Sequence, residues 1–135
     1  MTMIFVNAKT ENLNILLSSI DECMRMAGMS KDLRTRAMLV AEEVFVNIAH
    51  HAYNGGEGHA IIKCNIIQEP PGIMLEFIDS GVHFNPLEQG DPDTSLPAEK
   101  REIGGLGIYI TKRIANEIYY WRKDGANHLA MVLLV

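Results

Sequence analysis

Three short groups of residues in this sequence combine types and spacings that could do chemistry. The first is Glu43 and Asn47, four residues apart in a segment of helical periodicity. Counted at 100° per residue from Leu33, Glu43 falls at about 280°, Asn47 at about 320° and His51 at about 0°, beside an apolar stripe spanning roughly 340° to 80°. Glu42, at about 180°, belongs to the solvated side. Glu43 and Asn47 can therefore point into one cleft, where a partly desolvated carboxylate acts as a general base and a neighbouring amide oxygen ligates a hard cation such as Mg2+. A Glu/Asn pair that only hydrogen-bonds at a helix edge has the same spacing. The second group is Asp79 and Gly81, where an apolar run ends and the chain must turn. A buried carboxylate only accepts hydrogen bonds, so Asp79 could select a ligand with an exocyclic amine such as adenine, with Gly81 allowing close backbone approach; an Asx-turn explains the same residues. The third is Gly104-Gly105-Leu106-Gly107 at the start of a helical pattern, where free backbone N–H groups at the positive helix end could cradle phosphates, or where the chain could hinge.

Other residues add less. Lys100 and Arg101, just upstream of the glycines, could reach phosphate oxygens or simply be solvated. The glycine cluster is neither a Walker A loop, because no Gly-Lys-Ser/Thr follows, nor the dinucleotide fingerprint, because a loop precedes it. His50, His51, His59, His83 and His128 show no metal-ligand spacing, and no nucleophile elbow or Cys/His dyad is present. Met24, Met26 and Met29 cluster near one helix end and read as core filling.

The elements that must position these groups follow from periodicity. Met3 to Val6 reads as a strand. Leu13, Leu16, Leu17, Ile20 and Met24 mark a first helix ended by Gly28. Ser30 caps a second, with Leu33, Ala37, Val40, Ala41, Val44 and Ile48 inward and an end near His51. His59 to Gln68 and Ile73 to Ile78 are expected strands joined by a Pro70-Pro71-Gly72 turn. From Ser80 to Gly105 the pattern stops, and a structureless loop of that length is commonly an active-site lid. Leu106, Ile110 and Ile114 mark a third helix; Ile118 to Trp121 and His128 to Val135 are strands about a Lys123-Asp124-Gly125 turn. Three helices against five mostly antiparallel strands predict an α+β fold, a two-layer sandwich with the helices on one face of a mostly antiparallel mixed sheet.

Composition narrows the classes. The 135 residues are 47% apolar and 21% charged, which suits a single domain over 1–135 that needs neither disulfides nor a structural metal. Seventeen acidic against twelve basic residues, with no basic run, exclude direct nucleic-acid binding as the expected role. Cys23 and Cys64 lack redox or metal spacing and read as reduced thiols. With no signal-like N-terminus and no apolar run of about 18 residues, the expected protein is cytoplasmic, without membrane insertion.

Taken in order, Glu43-x-x-x-Asn47 on a helix, Asp79-x-Gly81 after a strand and Gly105-x-Gly107 opening another helix resemble the Bergerat ATP-binding fold of the gyrase, histidine-kinase and MutL superfamily. Within it, the segment Asp79-Ser-Gly-Val-His-Phe-Asn-Pro86 and the phrase Gly-Gly-Leu-Gly-Ile-Tyr-Ile look most like the anti-sigma factor serine/threonine kinases. The resemblance covers nearly the whole chain. It implies Glu43 as the base that activates a serine hydroxyl, Asn47 as the Mg2+ ligand, Asp79 as the contact to the adenine amine, and Gly81 packed beside the base. Gly105 and Gly107 match the glycines near the phosphates, under an ATP lid spanning about 80–105, and His51 matches a family histidine. The implied activity is ATP-dependent phosphorylation of an anti-sigma factor antagonist, together with sequestration of a sigma factor, with homodimers common. The sequence departs from the family in having Ile103-Gly104 where some relatives carry an arginine, a place Lys100 or Arg101 could fill, and Val82-His83 after the Asp-x-Gly. Two other readings compete: a partner-switching module that binds nucleotide without transferring phosphate, and the catalytic half of a histidine kinase, for which no phosphoacceptor hairpin is evident.

Overall fold

Leu16, Ile20 and Met24 recur at four-residue spacing, and all three are fully buried along helix α1 (Leu13–Met26). Gly28, at φ +75°, ends the helix in a Schellman motif: the Met29 N–H reaches the Met24 carbonyl at 3.0 Å and the Gly28 N–H the Arg25 carbonyl at 2.9 Å. Ser30 then caps α2 (Lys31–Asn47), its hydroxyl accepting from the Leu33 N–H at 3.2 Å. In this computed structural model, which describes residues 1–88 and 105–135, the remaining elements are β1 (Thr2–Asn7), β2 (His59–Gln68), β3 (Pro71–Asp79), α3 (Gly105–Ile114), β4 (Glu117–Lys123) and β5 (Ala126–Leu134).

The five strands form one sheet in the order β1-β2-β3-β5-β4, and every neighbouring pair is antiparallel. The expected α+β two-layer sandwich is therefore the observed fold, with a sheet that is antiparallel throughout rather than mixed. Register lines up the inward residues in rows: Ile4, Ile62, Phe77, Leu129 and Tyr120 form one, and Cys64, Leu75, Met131 and Ile118 the next. Against these rows pack the buried residues of α1 and of α2, among them Leu33, Val40, Ala41 and Phe45, while α3 packs on α2. On the other side of the first row, Ala60, Asp79, Asn127 and Arg122 form a row that turns polar at one end of the sheet. That change of character marks where the site lies.

Three details differ from expectation. Helix α2 does not continue regularly to His51; its α-helical part ends at Asn47 and a π-helical turn, Ile48–Ala52, carries the chain on. Pro71 and Gly72 belong to β3 rather than to the turn, and Gly72 lies where β5 approaches too closely for a side chain: a Cβ there would collide with the Leu133 backbone carbonyl. In the expected loop after Ser80, Pro86–Glu88 forms a 3-10 turn, with Asn85 Oδ1 accepting from the Leu87 N–H at 2.9 Å. Among the described residues no helix is long and apolar enough to cross a membrane.

Candidate functional site

A cavity of about 440 Å³ opens where the end of α2, its π-helical turn, the ends of β3 and β5, and the start of α3 converge. That volume is in the range of small-molecule sites. Its walls are mainly apolar, from Val44, Ile48, Phe77, Ile108 and Leu129, and its polar groups include Asn47, Asp79 and Asn127. Ile48 and Ala52 are buried against the core, so the π-helical turn presents Asn47 and His51 to the cavity from one side. His51 is exposed at the rim, not beside the buried stripe as a regular helix would place it, because the wider π turn rotates the residues after Asn47.

Glu43 stands one helical turn before Asn47, half-buried, against α3. Its carboxylate occupies the space beside Gly107 Cα: a Cβ on Gly107 would collide with Oε2 and lie 3.4 Å from Cδ. Gly107 is thus the residue that lets α3 close over the carboxylate. One turn later, the buried Thr111 hydroxyl donates to the Gly107 carbonyl at 2.9 Å, fixing this first part of α3.

Asp79 is buried at the end of β3. Its Oδ1 accepts from the Gly81 N–H at 2.9 Å and from Asn127 Nδ2 at 3.0 Å. The expected Asx-turn is present, and it uses only one carboxylate oxygen among the described residues, so Oδ2 is left for a ligand donor. The turn is seated on α2's extension: the Val82 N–H reaches the Ala52 carbonyl at 2.9 Å, and a Cβ on Gly81 would collide with the Ala52 backbone. Tyr53 ties the same region together, its hydroxyl donating to the His59 carbonyl and accepting from the Ser80 N–H at 2.9 Å. Burial pushes the Tyr53 hydroxyl above its ordinary range, with the charge of Asp79 adding to the shift, so it stays protonated as a donor near neutrality.

Asn47, His51 and Asp79 line the cavity, Gly81 is bonded to Asp79, and Glu43 and Gly107 meet where α2 and α3 pack, one helical turn before Asn47. Gly105 opens α3 and Leu106 follows it in the helix. Lys100, Arg101 and Gly104 lie outside the described residues. Sequence reasoning missed Asn127 and Tyr120. Asn127 Nδ2 also donates to the Val82 carbonyl at 2.8 Å, and its Oδ1 accepts from the Tyr120 hydroxyl at 2.6 Å. The signal was the alternation of β5, in which Leu129, Met131 and Leu133 face inward and Asn127 is the one polar residue of that series.

The donor set fits a nucleotide with its cation. Asp79 is a buried carboxylate in a mainly apolar pocket, Asn47 is a half-buried amide that lines the same pocket, and α3 begins beside it. Among the described residues no group of three His, Cys, Asp or Glu side chains converges as a metal site. A Mg2+ ion held at Asn47 would therefore take its other ligands from phosphate and water, the usual arrangement for this ion.

Comparison with known proteins bears on the family and the fold. Residues 6–133 match a family model described as histidine kinase-like ATPase domain. The chain is 28% identical over 102 residues to the serine/threonine-protein kinase BtrW of Bordetella bronchiseptica, covering 76% of this chain and 71% of that one. It is 25% identical over 124 residues to the serine-protein kinase RsbW of Bacillus mycoides, covering 89% and 76%. Among solved structures, the histidine kinase domain of a blue-light activated histidine kinase from Erythrobacter litoralis superposes with a TM-score of 0.56 at 12% identity, over 90% of this chain and 60% of that one. At that identity the likeness shows the fold alone, and the chain spans less than two-thirds of that solved chain.

Proposed function

This chain belongs to the histidine kinase-like ATPase domain family, and we propose that it is an ATP-dependent serine/threonine protein kinase acting as an anti-sigma factor, with an anti-sigma factor antagonist as its substrate and a sigma factor as its other partner. In this reading residues 1–135 work as one domain and about 80–105 form the ATP lid. The observation that carries it is one apolar cavity lined by Asp79 and Asn47, with the Glu43 carboxylate one helical turn before Asn47 and held against the first turn of α3 at Gly107. The kinase names of BtrW and RsbW support the same reading.

The chemistry asks little covalent work of the protein, because phosphoryl transfer depends on in-line positioning and charge neutralisation. Asp79 accepts a hydrogen bond from the adenine amine; guanine, with a carbonyl oxygen at that position, turns a lone pair toward the carboxylate. The first turn of α3 directs backbone N–H groups and a partial positive charge at phosphate. Asn47 would hold Mg2+, which would supply neutralisation of charge on the phosphate oxygens. Glu43 orients the incoming serine hydroxyl and takes its proton as the new phosphorus–oxygen bond forms and the bond to the ADP leaving group breaks.

The test is Glu43→Ala. Transfer of labelled phosphate from ATP to a serine-bearing antagonist domain should fall by about 10²-fold or more, while ATP affinity measured by calorimetry changes little. Transfer retained at the wild-type rate would remove Glu43 from the mechanism. ATP binding by the wild type with no phosphorylation of any antagonist would instead mark a partner-switching module.

A further inference from the structure

The row of inward residues that holds Asp79 continues beyond it to Asn127 on β5 and Arg122 on β4, at the edge of the sheet. In the other rows the corresponding positions are mostly apolar, so three polar side chains in succession need an account. The bonds supply one. The Tyr120 hydroxyl donates to Asn127 Oδ1 at 2.6 Å, which also accepts from the Phe84 N–H at 3.3 Å. With its oxygen occupied by two donors, the Asn127 amide has its NH2 group toward Asp79 Oδ1, at 3.0 Å, and the Val82 carbonyl, at 2.8 Å. Arg122 Nη1 donates to the Gly81 carbonyl at 2.9 Å, on the far side of the same turn. The carboxylate, the Gly81 turn and the first residues beyond it are thus gripped from β4 and β5 at four points.

We propose that the edge strand β4 is a specificity element for the nucleotide base: Tyr120 and Arg122 are positioning residues that fix the amide of Asn127 and the turn at Gly81, and so the direction in which Asp79 presents its second oxygen. The proposal rests on the adenine reading of Asp79. Without the Tyr120 hydroxyl, Asn127 Oδ1 keeps only the longer bond from Phe84, and the amide that holds Asp79 Oδ1 and the Val82 carbonyl is less firmly oriented. Without Arg122, the Gly81 carbonyl loses its anchor and the turn its fixed distance from β4. In both cases Asp79 samples orientations in which Oδ2 no longer meets an amine, while contacts that do not depend on the base are untouched.

The discriminating quantity is the ratio of GTP to ATP dissociation constants, because a merely structural role weakens both nucleotides in parallel. Calorimetric titration of Mg2+-ATP and Mg2+-GTP into the full chain is expected to show adenine selectivity in the wild type. In Tyr120→Phe, and in the same direction in Arg122→Ala, that ratio should fall by about five- to tenfold, the size of one lost hydrogen bond, with GTP affinity unchanged. Tyr119→Phe removes a hydroxyl that, among the described residues, bonds to the exposed Glu117 side chain, and should leave the ratio alone. Tyr120→Phe keeps the ring and the buried amide keeps the Phe84 donor, so the variant folds; a thermal scan verifies it. An unchanged ratio in both variants, or parallel loss of ATP and GTP, would overturn the proposal. Failure of the unsubstituted protein to bind either nucleotide would overturn the adenine reading itself and this proposal with it, and is distinguished by arising before any substitution.

Discussion

At the scale of single residues, the pairing of Glu43 with Gly107 is the feature most open to test. A glycine inside a helix costs roughly 1 kcal/mol relative to alanine, and here it sits where a methyl group would strike the Glu43 carboxylate. The two residues should therefore be coupled. Gly107→Ala alone is expected to displace the carboxylate and slow transfer at least tenfold, with stability nearly unchanged because the propensity gain and the clash offset each other. In a Glu43→Ala background the clash is gone, and the same substitution should stabilise the fold by roughly 1 kcal/mol, read by urea unfolding of all four members of the cycle. Additive effects would mean that the two side chains do not meet. The sequence makes Glu43 and Gly107 visible singly, one by its place on a helical wheel and the other as part of a glycine cluster. Their contact is a tertiary fact and has no local signature. Asn127 was hidden for a different reason: it becomes conspicuous only once the inward register of β5 is known.

At the scale of elements, the strongest local signals were those with a local physical cause. Ser30 followed by a helical apolar stripe specifies the start of α2, since the hydroxyl satisfies the Leu33 N–H whatever the rest of the chain does. Ser30→Ala should accordingly cost about 1 kcal/mol in urea unfolding and leave ATP affinity at the wild-type value; a change in affinity would tie the cap to the site, which the geometry does not. The end of α2 was not legible in the same way. Periodicity runs smoothly through Asn47 to His51, and nothing local announces a π turn. The turn exists where Ala52 receives the Gly81–Val82 segment, a contact between residues far apart in sequence. Pro71 and Gly72 misled for a related reason. Both residue types signal turns, but Gly72 is a strand residue chosen for close approach to β5.

At the scale of the whole molecule, the inner face of the sheet ties stability to pH through Cys64. Burial pushes this thiol from its ordinary 9.0 up to about 12, with Cys23 nearby adding to the shift. Because the folded-state value is the raised one, the folded chain holds the proton more tightly than the unfolded chain. Stability is then untouched below about pH 9 and declines as pH rises from about 9 to about 12, where the unfolded state releases a proton that the folded state retains. Urea unfolding at stepped alkaline pH should show this decline in the wild type and a shallower one in Cys64→Ala; equal slopes would place the thiol's folded-state value near that of the unfolded chain.

The same sheet and helices converge on the cavity, and the central claim is that this cavity binds adenine nucleotide with Mg2+. Thermal unfolding of the protein with ATP, ADP or GTP, each with and without Mg2+, tests it most directly. A ligand held at 100 times its dissociation constant adds about 2.7 kcal/mol, which for a chain of this length raises the midpoint by roughly 5–10 °C. The account predicts a rise of that order with ATP and ADP, larger with Mg2+ in the wild type than in Asn47→Ala, and little change with GTP. No rise with any nucleotide at millimolar concentration, or an equal rise with ATP and GTP, would contradict it.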